Sequence, residues 1–233
     1  QLLDEIDRLA PPPDPISLTR LDDGIVRVDL RSFNTPQVVD DWLAHWSEIA
    51  AAKGLVLDLR ENGGGNGGHG YRILSTLIER ASPASHWRTR LYRPSFRAWG
   101  NAEAWHLGPE RNILPDSERR FSGPVVLLIG PRTYSAAEDF AVAFDVAERG
   151  PIVGQPSGGS TGQPLSFDLP GGGQARVCSK RDSYPDGRAF VGVGVQPDLE
   201  VTATVDDLRA GRDPTLAAAI GALGYPLAAA LGR

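Results

Sequence analysis

Apolar positions along this chain follow two periods. From Gly24 to Phe33 they alternate, with Ile25, Val26, Val28 and Leu30 marking a half-buried strand. Thr35-Pro36 then offers a capping residue followed by proline at the first helical position. Val38, Val39, Trp42, Leu43, Trp46 and Ile49 recur at helical spacing, and Gly54 ends the run. Leu55 to Arg60 and Pro124 to Gly130 are short, nearly continuous apolar strands, and Pro151 to Gly154 is a third. Strands of that kind are buried on both faces; one that is entered from a helix and left through a glycine-rich loop points to a central parallel sheet.

Helices are expected from Tyr71 to Arg80 and from Ser135 to about Glu148, the latter with Phe140 and Phe144 facing inward. Residues 83–120 read as one strand from His86 to Tyr92 and then a long excursion, the usual form of a functional rim. Antiparallel strands are expected at Leu165–Leu169, Gln174–Ser179 and Ala189–Val195, and an Ala-rich helix from Pro214 to Leu231. Residues 1–10 look like the end of a helix, stopped by Pro11-Pro12-Pro13. Residues 1–19 therefore read as a linker or the end of a preceding segment, and 20–233 as one α/β domain.

Composition narrows the choice. The 233 residues are enough for a sizeable core, with 41% apolar and 23% charged positions. A net charge of −5 without a basic stripe argues against a nucleic-acid partner. The longest apolar run, Val125 to Ile129, is too short to span a bilayer. A single cysteine, Cys178, allows no internal disulfide or thiolate metal cluster and is expected as a buried, inert thiol. The chain starts at Gln1 and lacks Met, so it reads as a trimmed or partial product from which any leader is gone.

Four segments could carry chemistry. Ser135 opens a helix directly after a buried strand, which exposes its hydroxyl beside free backbone N–H groups. The same four residues, Ser135-Ala136-Ala137-Glu138, also spell a capping box, the commoner reading of such a turn. Asp58-Leu59-Arg60-Glu61-Asn62-Gly63-Gly64-Gly65 ends a strand in glycines whose amides could form an anion nest, or simply a flexible loop. It lacks the lysine and hydroxyl residue of a phosphate loop. The third, Gly154 to Gly162, taken singly is a strand-to-strand loop, and the fourth, Tyr184 to Gly187 followed by Gly192 to Asp198, is a pair of turns.

In this order the segments resemble the carboxy-terminal processing (tail-specific) protease family, which includes tricorn core proteases and the interphotoreceptor retinoid-binding protein repeats. The matching pieces are Asp58 to Gly65, Ser135 to Glu138, Val153 to Ser157, Pro185 to Gly187 and Gly194 to Asp198. The resemblance covers residues 20–200 and implies a crotonase/ClpP-like α/β core, a central sheet flanked by helices, with a C-terminal antiparallel part. It implies Ser135 as the nucleophile of a serine endopeptidase acting on polypeptides. The oxyanion hole would be formed by the amides of Ala136 and of Gly64 or its neighbour Gly65. It further implies a periplasmic or extracellular protein. The sequence holds no His/Cys/carboxylate cluster with ligand spacing, so no metal or organic cofactor is expected.

The general base departs from the pattern. Where the processing proteases place a lysine, this chain has Ser160, in Gly158-Gly159-Ser160-Thr161. That puts it nearer the lysine-lacking tricorn-like and retinoid-binding-like branch, which in its tricorn-like members takes a histidine from nearer the N-terminus. Of His45, His69, His86 and His106, His69 follows the glycine loop and is the candidate base. The chain's two lysines are Lys53 and Lys180, and Lys180 is expected on a strand surface. Gln163 could orient a group at the site. The missing lysine also keeps open a non-catalytic ligand- or peptide-binding module on the same fold, and the nucleophile alone would equally suit a non-peptide serine hydrolase.

Overall fold

A computed structural model describes residues 14–224. In chain order its elements are β1 (Ile16–Arg20), β2 (Ile25–Leu30), α1 (Gln37–Ala44), α2 (Trp46–Ala51), β3 (Gly54–Asp58) and α3 (Gly67–Ser75). There follow β4 (Ser82–Pro83), β5 (His86–Leu91), α4 (Pro94–Ala98), β6 (Ala104–Leu107), β7 (Asn112–Ile113), β8 (Val125–Ile129) and α5 (Ala136–Val146). The chain continues through β9 (Ile152–Gly154), β10 (Pro164–Asp168), β11 (Gln174–Cys178), β12 (Arg181–Ser183), β13 (Leu199–Glu200), α6 (Val205–Arg209) and α7 (Pro214–Leu223).

The core is a six-stranded sheet in the order β1-β2-β3-β8-β9-β13, parallel throughout except for the β1–β2 pair. Both faces are covered, as the continuous apolar runs require. Leu55, Leu57, Val125, Leu127 and Ile129 join the larger core beneath the helices that include α3 and α5. Val56, Val126, Leu128 and Val153 point the other way and pack on Ala219 of α7. The Arg60 guanidinium fastens α7 to the end of β3, bonding Asp58 and Asp213 at 2.7 Å each.

The structure corrects several expectations. β1 starts at Ile16 and pairs with β2 along its whole length, so the domain takes in residues assigned to the linker. The single helix expected after Pro36 breaks at His45 into α1 and α2. α3 starts at Gly67, not Tyr71, because the Asn66 side chain caps it by accepting from Gly68 N at 2.9 Å, outweighing the poor helix propensity of the glycines. No strand forms from Ala189 to Val195. Gly192 and Gly194 there take φ of 92° and 81°, and both Val193 N and Gly194 N turn back to the Phe190 carbonyl. The antiparallel C-terminal part is instead the β10–β11 hairpin and β12, which adds to the edge of β5. Cys178, at the end of the free-standing hairpin, is exposed. The helix end expected within residues 1–10 and the expected extension of the last helix from residue 225 to Leu231 lie outside the described residues.

Candidate active site

Ser135 lies in the turn from β8 to α5 with φ 55° and ψ −123°, a left-handed backbone that costs a non-glycine residue about 1–3 kcal/mol. Its surroundings impose that conformation. Thr133 Oγ1 donates to the Leu59 carbonyl at 2.8 Å and accepts from Gly130 N, while Tyr134 N donates to the Asn62 carbonyl at 3.0 Å. The turn is thus tied to the loop after β3. A capping box joins Ser135 and Glu138: the Glu138 carboxylate accepts from Ser135 N at 3.1 Å, and the Ser135 side chain faces the Glu138 amide, which donates to the Ser135 carbonyl at 2.8 Å. A strained strand–turn–helix corner is also how α/β-hydrolases present a nucleophilic serine.

Glu138 is the hub beneath that corner. Wholly buried, its carboxylate accepts from Ser135 N, Ser160 N and Thr161 Oγ1 on one oxygen, at 3.1, 2.9 and 2.7 Å. The other oxygen accepts from Ser157 Oγ and Gly159 N, each at 2.6 Å. One side chain therefore ties the nucleophile's backbone to the whole 157–161 loop. The Ser160 backbone amide is one of these scaffold donors.

The glycine loop reaches the serine from the other side. A Cβ on Gly64, whose φ is 102°, would lie 2.6 Å from Ser135 Cβ and 3.1 Å from Ala136 N, so only glycine admits this approach. Gly64 N is engaged: it donates to Asn62 Oδ1 at 2.8 Å. Phe33 uses both its amide, to Gly64 O, and its carbonyl, from Asn66 N, each at 2.9 Å. That is the pattern of a parallel bridge centred on Gly65, and it turns the Gly65 amide away from Phe33. The alternative left open by the motif thus narrows: Gly64 supplies the close approach, and Gly65, exposed at the surface of the loop, holds the amide without a backbone partner among the described residues.

These parts border one cavity of about 410 Å³, lined by Ser135, Ala136 and Asp139 of the corner and by Gly65 to Gly67 of the loop. Thr161, Gln163, Pro164 and Lys180 complete it. A larger cleft of about 580 Å³ flanks the other side of α3, around Tyr71, Arg72 and Asp116, and contains neither Ser135 nor Lys180.

His69 is not among the residues that line the Ser135 cavity. It rides on α3 with Nδ1 at 2.9 Å from the Phe33 carbonyl, a contact that orients the ring toward the β2–α1 connection. Lys180, expected on a strand surface, is instead largely enclosed, with 17% of its side chain exposed. Its Nζ donates to Asp182 Oδ1 at 2.6 Å and sits 5.7 Å from the centre of the Trp87 ring. Asp139, also missed from the sequence, accepts from Ser85 Oγ at 2.6 Å. Burial, and then the charge of Asp182, push its carboxyl up from 3.8 to about 6. Asp182 is raised as well, chiefly by burial. Lys180 had no signal in the sequence, because its place at the Ser135 cavity depends on β12 pairing with β5; Asp139 lies one turn of α5 beyond Ser135.

Residues 24–201 match the profile of Peptidase family S41. The chain belongs to this family of serine-type peptidases. It is 29% identical over 182 residues to the chloroplastic C-terminal processing peptidase of Tetradesmus obliquus, a match covering 78% of this chain and 36% of that protein. Among solved structures, a candidate peptidase from Parabacteroides merdae superposes with a TM-score of 0.73 at 26% identity, over 94% of this chain and 69% of that one. The tricorn protease superposes with a TM-score of 0.54 at 18% identity, over 86% of this chain and 17% of that one, a likeness of fold. The chain spans about a third of the length of the curated processing proteases it matches. Among the described residues no helix is long and apolar enough to cross a membrane.

Proposed function

We propose that this chain is the catalytic domain of a serine endopeptidase that cleaves polypeptides through an acyl-enzyme on Ser135. The observation that carries the reading is the strained Ser135 corner, which borders a cavity shared with Ala136 and Gly65. Ser135 Oγ attacks the scissile carbonyl carbon, and the negative charge that gathers on its oxygen falls between the Ala136 and Gly65 amides. Donors already fixed by a helix start and a parallel bridge need no reorganisation as that charge forms, and each such donor is worth about 10²–10³ in rate. The C–N bond then breaks, the amine leaves, and water releases the acyl group from Ser135.

The polypeptide substrate is proposed from the family, and cleavage near a C-terminus from the names of the processing-protease relatives. A periplasmic or extracellular site is proposed on the same ground.

Treating the protein and Ser135→Ala with a fluorophosphonate probe, and locating the adduct by mass spectrometry, tests the reading. A single adduct on Ser135, absent from the alanine variant, is expected, together with cleavage of an unfolded polypeptide by the unmodified protein only. A folded protein that takes no label at Ser135 would favour a binding module on this fold. Labelling without polypeptide cleavage would favour a hydrolase of other esters or amides.

A further inference from the structure

We infer that Lys180 is the general base that takes the proton from Ser135, delivered to the cavity from the start of β12 in place of the lysine that Ser160 displaces. The inference rests on Ser135 being the nucleophile.

The chain's other lysine lies elsewhere: Lys53 packs its stem against Gly24 at the opening of β2 and β3. Lys180 alone among the residues bordering the Ser135 cavity carries an amine. Its backbone is held firmly. Ser179 N and Lys180 N both donate to the Gly162 carbonyl, at 2.9 and 3.1 Å, and Thr89 Oγ1 donates to the Ser179 carbonyl at 2.6 Å. The next residues enter β12, where Asp182 stands opposite Trp87. This anchoring ties Lys180 to Gly162, next to Thr161 at the end of the loop that Glu138 ties to Ser135, so nucleophile and amine are referred to neighbouring residues of one loop.

The side chain is steered as well as anchored. Trp87 flanks the ammonium, and Asp182, 1% exposed, fixes it at 2.6 Å. The second oxygen of Asp182 is buried without a hydrogen-bond partner among the described residues. An isolated pair would ordinarily satisfy that oxygen too, so the arrangement spends Asp182 on placing one amine. The charged groups around Nζ are Asp182 in contact, with Asp139 and Glu138 acting on the same cluster.

The step balances with groups present. Lys180 first releases its own proton to solvent, and the neutral amine then takes the hydroxyl proton as the Ser135 Oγ–carbon bond forms. The resulting ammonium, held by Asp182, returns that proton to the leaving nitrogen as the C–N bond breaks. The amine then deprotonates the water that attacks the acyl-enzyme, and Ser135 recovers its proton.

The experiment is the rate of fluorophosphonate labelling at Ser135, read by mass spectrometry from pH 6 to 10, in the unmodified protein, Lys180→Arg, Lys180→Met and His69→Ala. Arginine keeps a cation for Asp182 and so keeps the fold, yet cannot give up its proton. Labelling about a hundredfold slower or worse in Lys180→Arg is expected, with His69→Ala within a few-fold of the unmodified protein and a rate that climbs with pH only where the amine is present. Where the arginine or methionine variant loses its circular dichroism, Lys180→Cys in a Cys178→Ser background decides. Aminoethylation, which rebuilds an amine at that position, is expected to restore labelling. Undiminished labelling in folded Lys180→Arg, or no recovery on aminoethylation, overturns the lysine and leaves Ser135 standing. An unmodified protein that is not labelled at Ser135 overturns both.

Discussion

The Ser135 amide and the Glu138 carboxylate, three residues apart, meet at 3.1 Å across the first turn of α5, and the same carboxylate holds the 157–161 loop. Helix capping and site assembly are therefore one interaction. Glu138→Gln replaces an acceptor by an NH₂ that faces donors, and donors left unmet by a buried partner are costly. A loss of about 2–4 kcal/mol in urea unfolding is expected. Polypeptide cleavage should fall about 10²-fold even where the variant is fully folded, because the nucleophile's corner shifts. Unchanged cleavage by Glu138→Gln would show that the corner holds its shape without this anchor.

Gly64 carries the second expectation. Its φ of 102° and the 2.6 Å approach of an added Cβ to Ser135 make alanine doubly unfavourable there. Gly64→Ala should lower stability by about 1–3 kcal/mol and slow labelling of Ser135 about 10²-fold. Gly63→Ala is the control, since a Cβ at Gly63 meets nothing within 4 Å. Equal effects at the two positions would mean that general loop stiffness matters and the contact with Ser135 does not.

How far these parts could be read from the sequence depended on whether local pattern or distant contact decided them. The strands β3 and β8 were legible because both of their faces are apolar, and the Ser135 corner because a buried strand runs straight into a helix start. The glycine loop was legible as a nest, but which amide stays free was not, since that depends on Asn62 engaging Gly64 N and on Phe33 bridging to Gly65. Lys180 was misplaced for the same reason. Its enclosure comes from Trp87, more than ninety residues earlier, and from Asp182, which alternation alone would leave on either face. His69 drew notice by adjacency in sequence, whereas Asn66 starts α3 early and carries that ring onto the helix beside Phe33.

Asp139 makes stability depend on pH in a defined window. Its carboxyl is held at about 6 in the folded chain against an ordinary 3.8. The folded state therefore binds this proton more tightly than the unfolded state. The resulting stabilisation is present in full below about 3.8 and lost as pH rises through about 6, a difference of up to about 3 kcal/mol. Asp139→Asn keeps an oxygen for Ser85 Oγ and cannot ionise. It should match the unmodified protein near pH 4 and exceed it above pH 7, with the gap opening between. Urea unfolding of both proteins across that range checks this, and a gap independent of pH would mean that the Asp139 charge is not what burial opposes.

Asn62 separates holding the loop from donating to the oxyanion. It is wholly buried, with Oδ1 accepting from Gly64 N at 2.8 Å and Nδ2 donating to the Leu30 carbonyl at 2.9 Å. Asn62→Ala strands both partners in the interior, and a loss of about 2–4 kcal/mol is expected. It also releases the Gly64 amide. If that amide were the oxyanion donor, freeing it would preserve or raise the labelling rate per folded molecule. With Gly65 as the donor, the rate should fall, because the bridge that aims Gly65 relies on the segment Asn62 secures. Asn62→Asp sharpens the comparison. It retains an acceptor for Gly64 N, loses the donor to Leu30, and buries a charge, so it should be the less stable of the two variants while keeping Gly64 engaged. A labelling rate that rises with release of Gly64 N would assign the donor to Gly64, and one that falls with loop stability would assign it to Gly65.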